Sequence, residues 1–429
     1  MVLLMCIVLG ALLLSCASMG SGRKMGPCGS CHEEIYIQHE QSMHSQSFTS
    51  PAFQSLYYND VLPEADQSPE ARELAIRCFI CHNPMASLKL AGKEPSPDPA
   101  QVSPEGVSCA FCHGVTGHEG QTPGNGNYIH NSPVPVSGQG SYDENRHFRV
   151  DEFVASSEFC GVCHDSTKGH GLPIKSTYTE WSESSFAGKG IHCQDCHMNS
   201  FGFLIDGVPF FTGGKAGKAM FTDVEARERI HAHRFPGAHV PSQISGNPSV
   251  ELRLPALARA GREMEFEVLV NNSRVGHMMP SGSSELRLLW LEVTAEQGGE
   301  VLHIKALSTA GGAGSYDVAG RTAFDAEVLG GVVPAGSRMY RSVFTGAGGT
   351  PVLINHEATG LGFDNRLGPA EVRAERFVFT VPKAMRGKLV VKARLMYMPY
   401  PPAYAERLGI PPAVATEVSK TSGKLAVGH

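Results

Sequence analysis

Five copies of the pentapeptide C-x-x-C-H punctuate the first half of the chain. They lie at Cys28/Cys31/His32, Cys78/Cys81/His82, Cys109/Cys112/His113, Cys160/Cys163/His164 and Cys193/Cys196/His197. In an exported protein this spacing is that of c-type haem attachment. Two thiols so spaced add to the two vinyl groups on one edge of a porphyrin, and the adjoining imidazole lies beneath the ring, where it takes the iron axially. With 12 cysteines and 19 histidines in 429 residues, chance supplies roughly 0.015 copies. Zinc also binds C-x-x-C pairs, but its sites do not require the following histidine. Five haem c are therefore the expected cofactors, each iron held by a motif histidine, and no catalytic residue is assigned.

Iron that only exchanges electrons needs a sixth ligand, and fourteen histidines remain outside the motifs. His44 is the best placed. It closes an expected helix over Glu33–Ser45, twelve residues beyond His32. At the helical rise the two lie roughly 18 Å apart, so His44 must serve a neighbouring haem. His118 follows His113 through Gly114–Gly117, a turn too tight to pass round the same ring, and it too should reach a neighbour. His39 competes with His44 from the same helix, His192 abuts Cys193, and His429 is a tail residue. The motif starts are 50, 31, 51 and 33 residues apart, and G-V-S-C-A-F-C-H (Gly106–His113) matches G-I-H-C-Q-D-C-H (Gly190–His197). That alternation predicts two close pairs, motifs two with three and four with five, with the first motif leading.

The elements that must position these groups fall into three segments. Residues 1–19 form an apolar leader ending at Leu13-Leu14-Ser15-Cys16, which resembles the lipobox of bacterial lipoproteins and makes Cys16 the lipidation candidate. No Lys or Arg precedes its apolar run, so an uncleaved anchor is the alternative. Either way the chain is exported, to the periplasm or outer membrane, with a lipid anchor expected. No later apolar run reaches the length of a span. Ten of the twelve cysteines sit in motifs and the others, Cys6 and Cys16, in the leader, which leaves none for a structural disulfide. The formal charge of −6 and scattered basic residues argue against a nucleic-acid partner. Residues 20–243 are rich in Gly and Pro and poor in periodic apolar segments, as expected of short helices and loops wrapped around haem. From 244 to 429 the pattern turns to strands, at Met264–Asn271, Leu286–Thr294, Val301–Ala306, Met339–Phe344, Arg376–Val381 and Leu389–Tyr397. Gly-rich turns such as Ala310–Gly314 and Gly346–Gly349 separate them, which suggests an antiparallel β-sandwich of immunoglobulin-like type. The expected class is multidomain α+β.

The segment C-G-S-C-H-E-E-I-Y-x-x-H-x-x-S-M-H (Cys28–His44) resembles the first haem unit of the cytochrome c-554 family of multihaem electron carriers. That family usually has Trp where His39 stands, which favours His44 as the ligand. Gly106–His118 is similar to the family's third unit, whose trailing histidine is a distal ligand. Thr177–Met198 resembles a block common in larger multihaem cytochromes of metal- and sulfur-respiring bacteria; by that analogy His147 and His233, the latter in H-R-F-P-G, are further distal candidates. Asn272–Gly282 resembles a G-H-x-x-P-x-G loop of similar cytochromes and makes His277 the fifth candidate, with Met278 and Met279 as thioether alternatives. The resemblance implies a carrier that passes electrons between respiratory partners, other cytochromes or an extracellular acceptor such as a metal oxide. The alternative it leaves open is a reductase acting on a small nitrogen or sulfur oxyanion at a five-coordinate haem. A third reading makes the sandwich a docking module.

Overall fold

The computed structural model describes residues 28–131, 152–169, 171–218, 226–309 and 315–428. The leader with Cys16, the Ala310–Gly314 turn, His147, His170 and His429 lie outside them.

Helices in the motif-bearing half are short. The longest, Pro69–His82, begins at Ser68, whose Oγ accepts the Ala71 N–H at 3.1 Å. Pro69 takes the first helical position, where its missing N–H costs nothing. This helix carries the second motif in its final turn, and Ser157–His164 and Cys193–His197 do the same for the fourth and fifth. Cys109–Cys112 is a single turn, started by Ser108 Oγ accepting from Phe111 N–H at 3.3 Å. The placement has a simple cause: residues i, i+3 and i+4 share one face of a helix, so helical backbone alone turns two thiols and an imidazole the same way.

The first helix is shorter than expected. It spans Glu33–Glu40 rather than reaching Ser45. Ser42 is buried and its Oγ accepts the Ser45 N–H at 3.1 Å, a local bond that competes with the helical ladder. His44 therefore sits in a chain of tight turns. A small side-chain core, including Phe48, Tyr57, Val61 and Phe79, lies between the first two motifs.

Among the described residues the second half has three sheets, a small one in which Ser342–Thr345 pairs with Pro351–Val352 and Gly360–Asp364, and two that pack face to face. Glu263–Asn271 pairs antiparallel with Ser249–Arg253 on one side and Val372–Thr380 on the other. In the other sheet, Leu288–Gln297 pairs with Glu300–Ile304, Arg338–Tyr340 and Gly387–Met398, and the last of these runs alongside Thr416–Gly428. Phe266, Val268 and Phe377 from the first sheet meet Leu289, Leu291, Val391 and Leu395 from the second in one core. Along Glu263–Asn271 burial alternates as a one-sided strand requires. Leu288–Ala295 is buried on both faces, because Val328 and Leu329 cover Leu288 and Trp290 from outside. That explains a continuous apolar run in place of alternation.

Three details depart from expectation. The Met339–Phe344 strand is broken at Arg341, whose buried guanidinium pairs with Asp325 at 2.5 Å. The long strand Thr416–Gly428 is too polar to stand out in the sequence. The short strand Leu257–Arg259 joins its end in parallel, so the sheet is not wholly antiparallel.

The two halves are not loosely tethered. Leu286, Ile354, Tyr404 and Leu408 pack with Ala52 and Leu56 from the other half, and Arg407 reaches Asp60 at 3.0 Å.

Candidate metal centres

All ten motif cysteines are free thiols. Among the described residues, no three His, Cys, Asp or Glu side chains converge as a zinc site requires. The thiols touch across motifs instead: Cys28 meets Cys109, Cys81 meets Cys163, and Cys160 meets Cys193. Motif four thus adjoins two and five, and motif one adjoins three. The four–five adjacency follows the spacing, whereas the expected pairing of two with three gives way to one–three and two–four. The reason is a fold-back: the Val107 N–H donates to His44 O at 2.9 Å, and His39 Nε2 donates to Val107 O at 2.8 Å. These bonds tie the third motif to the first helix. Gly106 makes the approach possible, since a Cβ there would lie 2.5 Å from Ser45 O and 2.6 Å from His44 O.

Three motif histidines face a second imidazole brought from a distant segment. Ring centres are 6.0 Å apart for His164 and His44, 6.4 Å for His113 and His233, and 6.3 Å for His197 and His277. A metal–imidazole bond is about 2 Å and a ring centre lies about 1.2 Å behind its nitrogen, so a metal shared by two imidazoles spaces their centres about 6.4 Å apart. Facing nitrogens at that spacing are about 4 Å apart, beyond hydrogen-bonding range. The observed spacings are compatible with an intervening metal. The rings set His44 beside His164 of motif four, His233 beside His113 of motif three and His277 beside His197 of motif five.

Hydrogen bonds fix which ring nitrogen the backbone engages. Nδ1 lies 2.9 Å from Ala216 O in His32, 3.0 Å from Ser47 O in His82, 2.9 Å from His231 O in His233 and 2.8 Å from Met278 O in His277. An Nδ1–H given to a backbone carbonyl leaves Nε2 as a lone-pair donor and fixes the ring orientation. Burial pushes the pKa of His44 down to about 3 and those of His82, His164, His197 and His233 to about 4, which keeps the rings neutral, the form that ligates. His39 has the opposite arrangement, since its Nε2 is the bonded nitrogen. His192 is the N-cap of the Cys193–His197 helix, its N–H donating to Asp195 Oδ2 at 2.8 Å, and its Nδ1 lies 3.1 Å from Ser157 Oγ.

The remaining expectations are placed differently. His118 has Nε2 3.7 Å from Glu158 Oε2 and its ring against Phe153, and among the described residues no motif imidazole faces it. His82 has Phe53 stacked on its ring at 4.3 Å. Met279 is buried in the sandwich core, away from His197.

Residues that the sequence did not single out hold the His277 loop. Glu180 Oε2 accepts from Met278 N–H at 3.1 Å and from Ser281 Oγ at 2.7 Å, while its Oε1 accepts from Arg366 Nη1 at 2.6 Å. Gly276 lies against Phe186 and Trp181 so closely that a Cβ would stand 3.2–3.4 Å from their rings. Phe235, one residue from the H-R in H-R-F-P-G, packs its ring 4.4 Å from that of His44. Glu180, Trp181 and Phe186 lie in the Thr177–Met198 block, Gly276 in the Asn272–Gly282 loop and Phe235 in the segment noted for His233, whereas Arg366 carried no signal. The free thiols, neutral inward-facing imidazoles and metal-sized gaps fit covalently attached haem.

Residues 27–114 match the family model described as cytochrome c554 and c-prime. No curated protein matches the chain. Among solved structures, a penta-heme cytochrome c552 from Thermochromatium tepidum is similar in fold, with TM-score 0.61 and 19% identity over 93% of this chain and 97% of that one. A CARDB domain from Pyrococcus furiosus aligns with 43% of this chain and 91% of its own at 13% identity, with a TM-score of 0.18 that carries no argument.

Proposed function

Since the chain is a multihaem c-type cytochrome whose residues 27–114 belong to the cytochrome c554 family, with haem c at five sites, we propose that it is a non-enzymatic carrier passing electrons between respiratory partners. Bound haem supplies a one-electron iron couple at each site. The protein holds the axial imidazoles in place, so that little reorganises when an electron arrives.

The observation that carries this reading is the set of imidazole pairs at 6.0, 6.3 and 6.4 Å. Two axial histidines give low-spin iron with no open position, which suits electron transfer rather than substrate chemistry. The thiol contacts link motif one with three, and motif four with both two and five, and His44, from the segment after motif one, joins the two groups by facing His164 of motif four. We assign His32, His82, His113, His164 and His197 as proximal ligands and His44, His233 and His277 as distal ones. His118 and His147 remain distal proposals for the first two motifs. Residues 20–243 act as the haem domain, and 244–429 as an immunoglobulin-like sandwich that contributes one ligand. We place the protein outside the cytoplasm on a membrane face, held through Cys16 or its leader, with other cytochromes or an extracellular acceptor as partners.

A pyridine haemochrome assay with EPR of the holoprotein tests the reading. Five haems per chain and dominant low-spin signals support it; a chain without covalent haem overturns it. One observation favours a second reading, reduction of a small nitrogen or sulfur oxyanion. Among the described residues no second imidazole faces His82, whose ring carries Phe53 instead. CO binding to the reduced protein, one equivalent per chain, would move the assignment to that reading.

A further inference from the structure

Immediately after the fifth motif the chain forms a hairpin whose outer surface is apolar. Ser200 N–H donates to Phe210 O at 2.9 Å, and Ile205 and Val208 exchange backbone bonds at 3.0 and 2.9 Å across Asp206-Gly207. Both turn residues have positive φ, +50° and +79°, the geometry of a tight two-residue hairpin turn. Leu204 points inward and is buried, whereas Phe201, Phe203, Ile205, Val208 and Phe210 are 43–62% exposed. Phe201 touches both Phe203 and Phe210, with ring centres 6.2 and 5.3 Å apart, so the exposed side chains form one patch. Single exposed apolar residues are ordinary, but five on one projecting hairpin mark a contact surface.

The hairpin is fixed at its root. Asn199 is buried; its Nδ2 donates to Asp195 O at 2.7 Å and Phe203 O at 2.8 Å, and its Oδ1 accepts from Phe201 and Gly202 N–H. Cations gather there. Arg234 Nη1 donates to Ser200 O at 3.0 Å, and the Arg229 guanidinium lies 5.4 Å over the Phe211 ring. Lys215 and Arg227 are exposed nearby, on or beside the strands that continue the hairpin. The apolar side chains thus run along the hairpin, from Phe201 and Phe210 at its open end to Ile205 and Val208 beside the Asp206-Gly207 turn. The cations lie on the strands that continue it, with the acids Asp206 and Glu228 among these side chains. This is a distribution that an anionic bilayer interface can take up.

The hairpin also lies on the side where the chain emerges from its leader. His233 N–H donates to Gln38 Oε1 at 2.8 Å, and Lys218 N–H donates to Cys31 O at 2.8 Å. Both contacts put the hairpin's continuation on the first motif and helix. From Cys16 to Cys28 the chain can extend about 40 Å at most, so an anchor at Cys16 keeps this face near the lipid.

We propose that the hairpin Ser200–Thr212 is a second membrane contact, laying its phenylalanine-bearing flank against the headgroup region of an anionic bilayer, an inference that rests on the anchored reading above. Its internal backbone bonds suit this contact, since groups leaving water must already be paired.

The test uses the holoprotein from residue 20, exported behind a foreign cleavable signal, so that no lipid anchor contributes. It should sediment with vesicles of equimolar phosphatidylcholine and phosphatidylglycerol, bind phosphatidylcholine alone weakly, and dissociate in high salt. The F201S/F203S/F210S variant, with an unchanged haem spectrum, should lose roughly tenfold or more in partitioning. Failure of the leaderless protein to bind anionic vesicles overturns the proposal, as does equal binding by the variant. So does a dimer in light scattering that the variant abolishes, which would make the patch a contact between copies. Fractionation of full-length Cys16→Ser reports on the anchor alone, so the two readings fail separately.

Discussion

At the scale of single residues, His277 is the most informative side chain, because it leaves the sandwich to face His197 at 6.3 Å between ring centres. His277→Ala should convert one haem to high-spin, read as a new high-spin ferric EPR signal with the other low-spin signals retained. An unchanged low-spin count removes His277 from the ligands. His233→Ala and His44→Ala should each act likewise on a different haem. Glu285 gives a pH dependence. Its carboxylate is buried without a well-formed hydrogen bond, and burial pushes its pKa up to about 7, opposed by the charges of Lys175 and Arg287. A carboxyl raised in the folded state contributes full stability below its unfolded pKa, and that contribution is lost as pH climbs through about 7. Glu285→Gln should therefore unfold like the wild type at pH 4 and be more stable at pH 8, by on the order of 3 kcal/mol. Chemical denaturation at the two pH values measures the difference, and equal curves would show that the carboxyl titrates normally.

At the scale of elements, the positions of loops matter more than the helices. Gly106 lets the Gly106–Val107 backbone press against His44 and Ser45, and the atoms a Cβ would meet include two backbone carbonyls, which no rotamer change can move aside. Gly106→Ala should cost about 1–3 kcal/mol and perturb the low-spin signal that His44→Ala removes; a variant with wild-type melting and EPR would contradict the close approach. Glu180 plays the corresponding part for the His277 loop. Breaking its buried pair with Arg366 by Glu180→Ala should lower stability by on the order of 3–5 kcal/mol and broaden the signal assigned to His197 and His277.

These elements also show what the sequence could convey. The five motifs fixed themselves by their own spacing, and His44, His233 and His277 were visible as candidates. Their partners were not, since the facing rings come from residues such as His44 and His164, 120 positions apart, and periodicity reports only on neighbours. The helix end at Glu40 was misread because a serine–backbone bond at Ser42 leaves no hydrophobic trace. Strands with apolar faces, Glu263–Asn271 and Gly387–Met398, were legible. Thr416–Gly428, held largely by backbone pairing along one strand, was not.

For the molecule as a whole, the proposed assignment takes the proximal ligands from the motif-bearing half and one distal ligand from the sheet-bearing half, and the ion pairs Glu180–Arg366 and Asp60–Arg407 join the two. A chain ending at residue 243 should still acquire five covalent haems but bind CO at the fifth, and a CO-inert truncated protein would show that His277 is dispensable. The strand Thr416–Gly428 runs between Gly387–Met398 and Leu257–Arg259, so the sheet cannot close until those last residues have been made. If His277 is a ligand as proposed, a nascent or clipped polypeptide would leave its fifth iron open to peroxide and small gases, and completion of the sheet would be what quiets it.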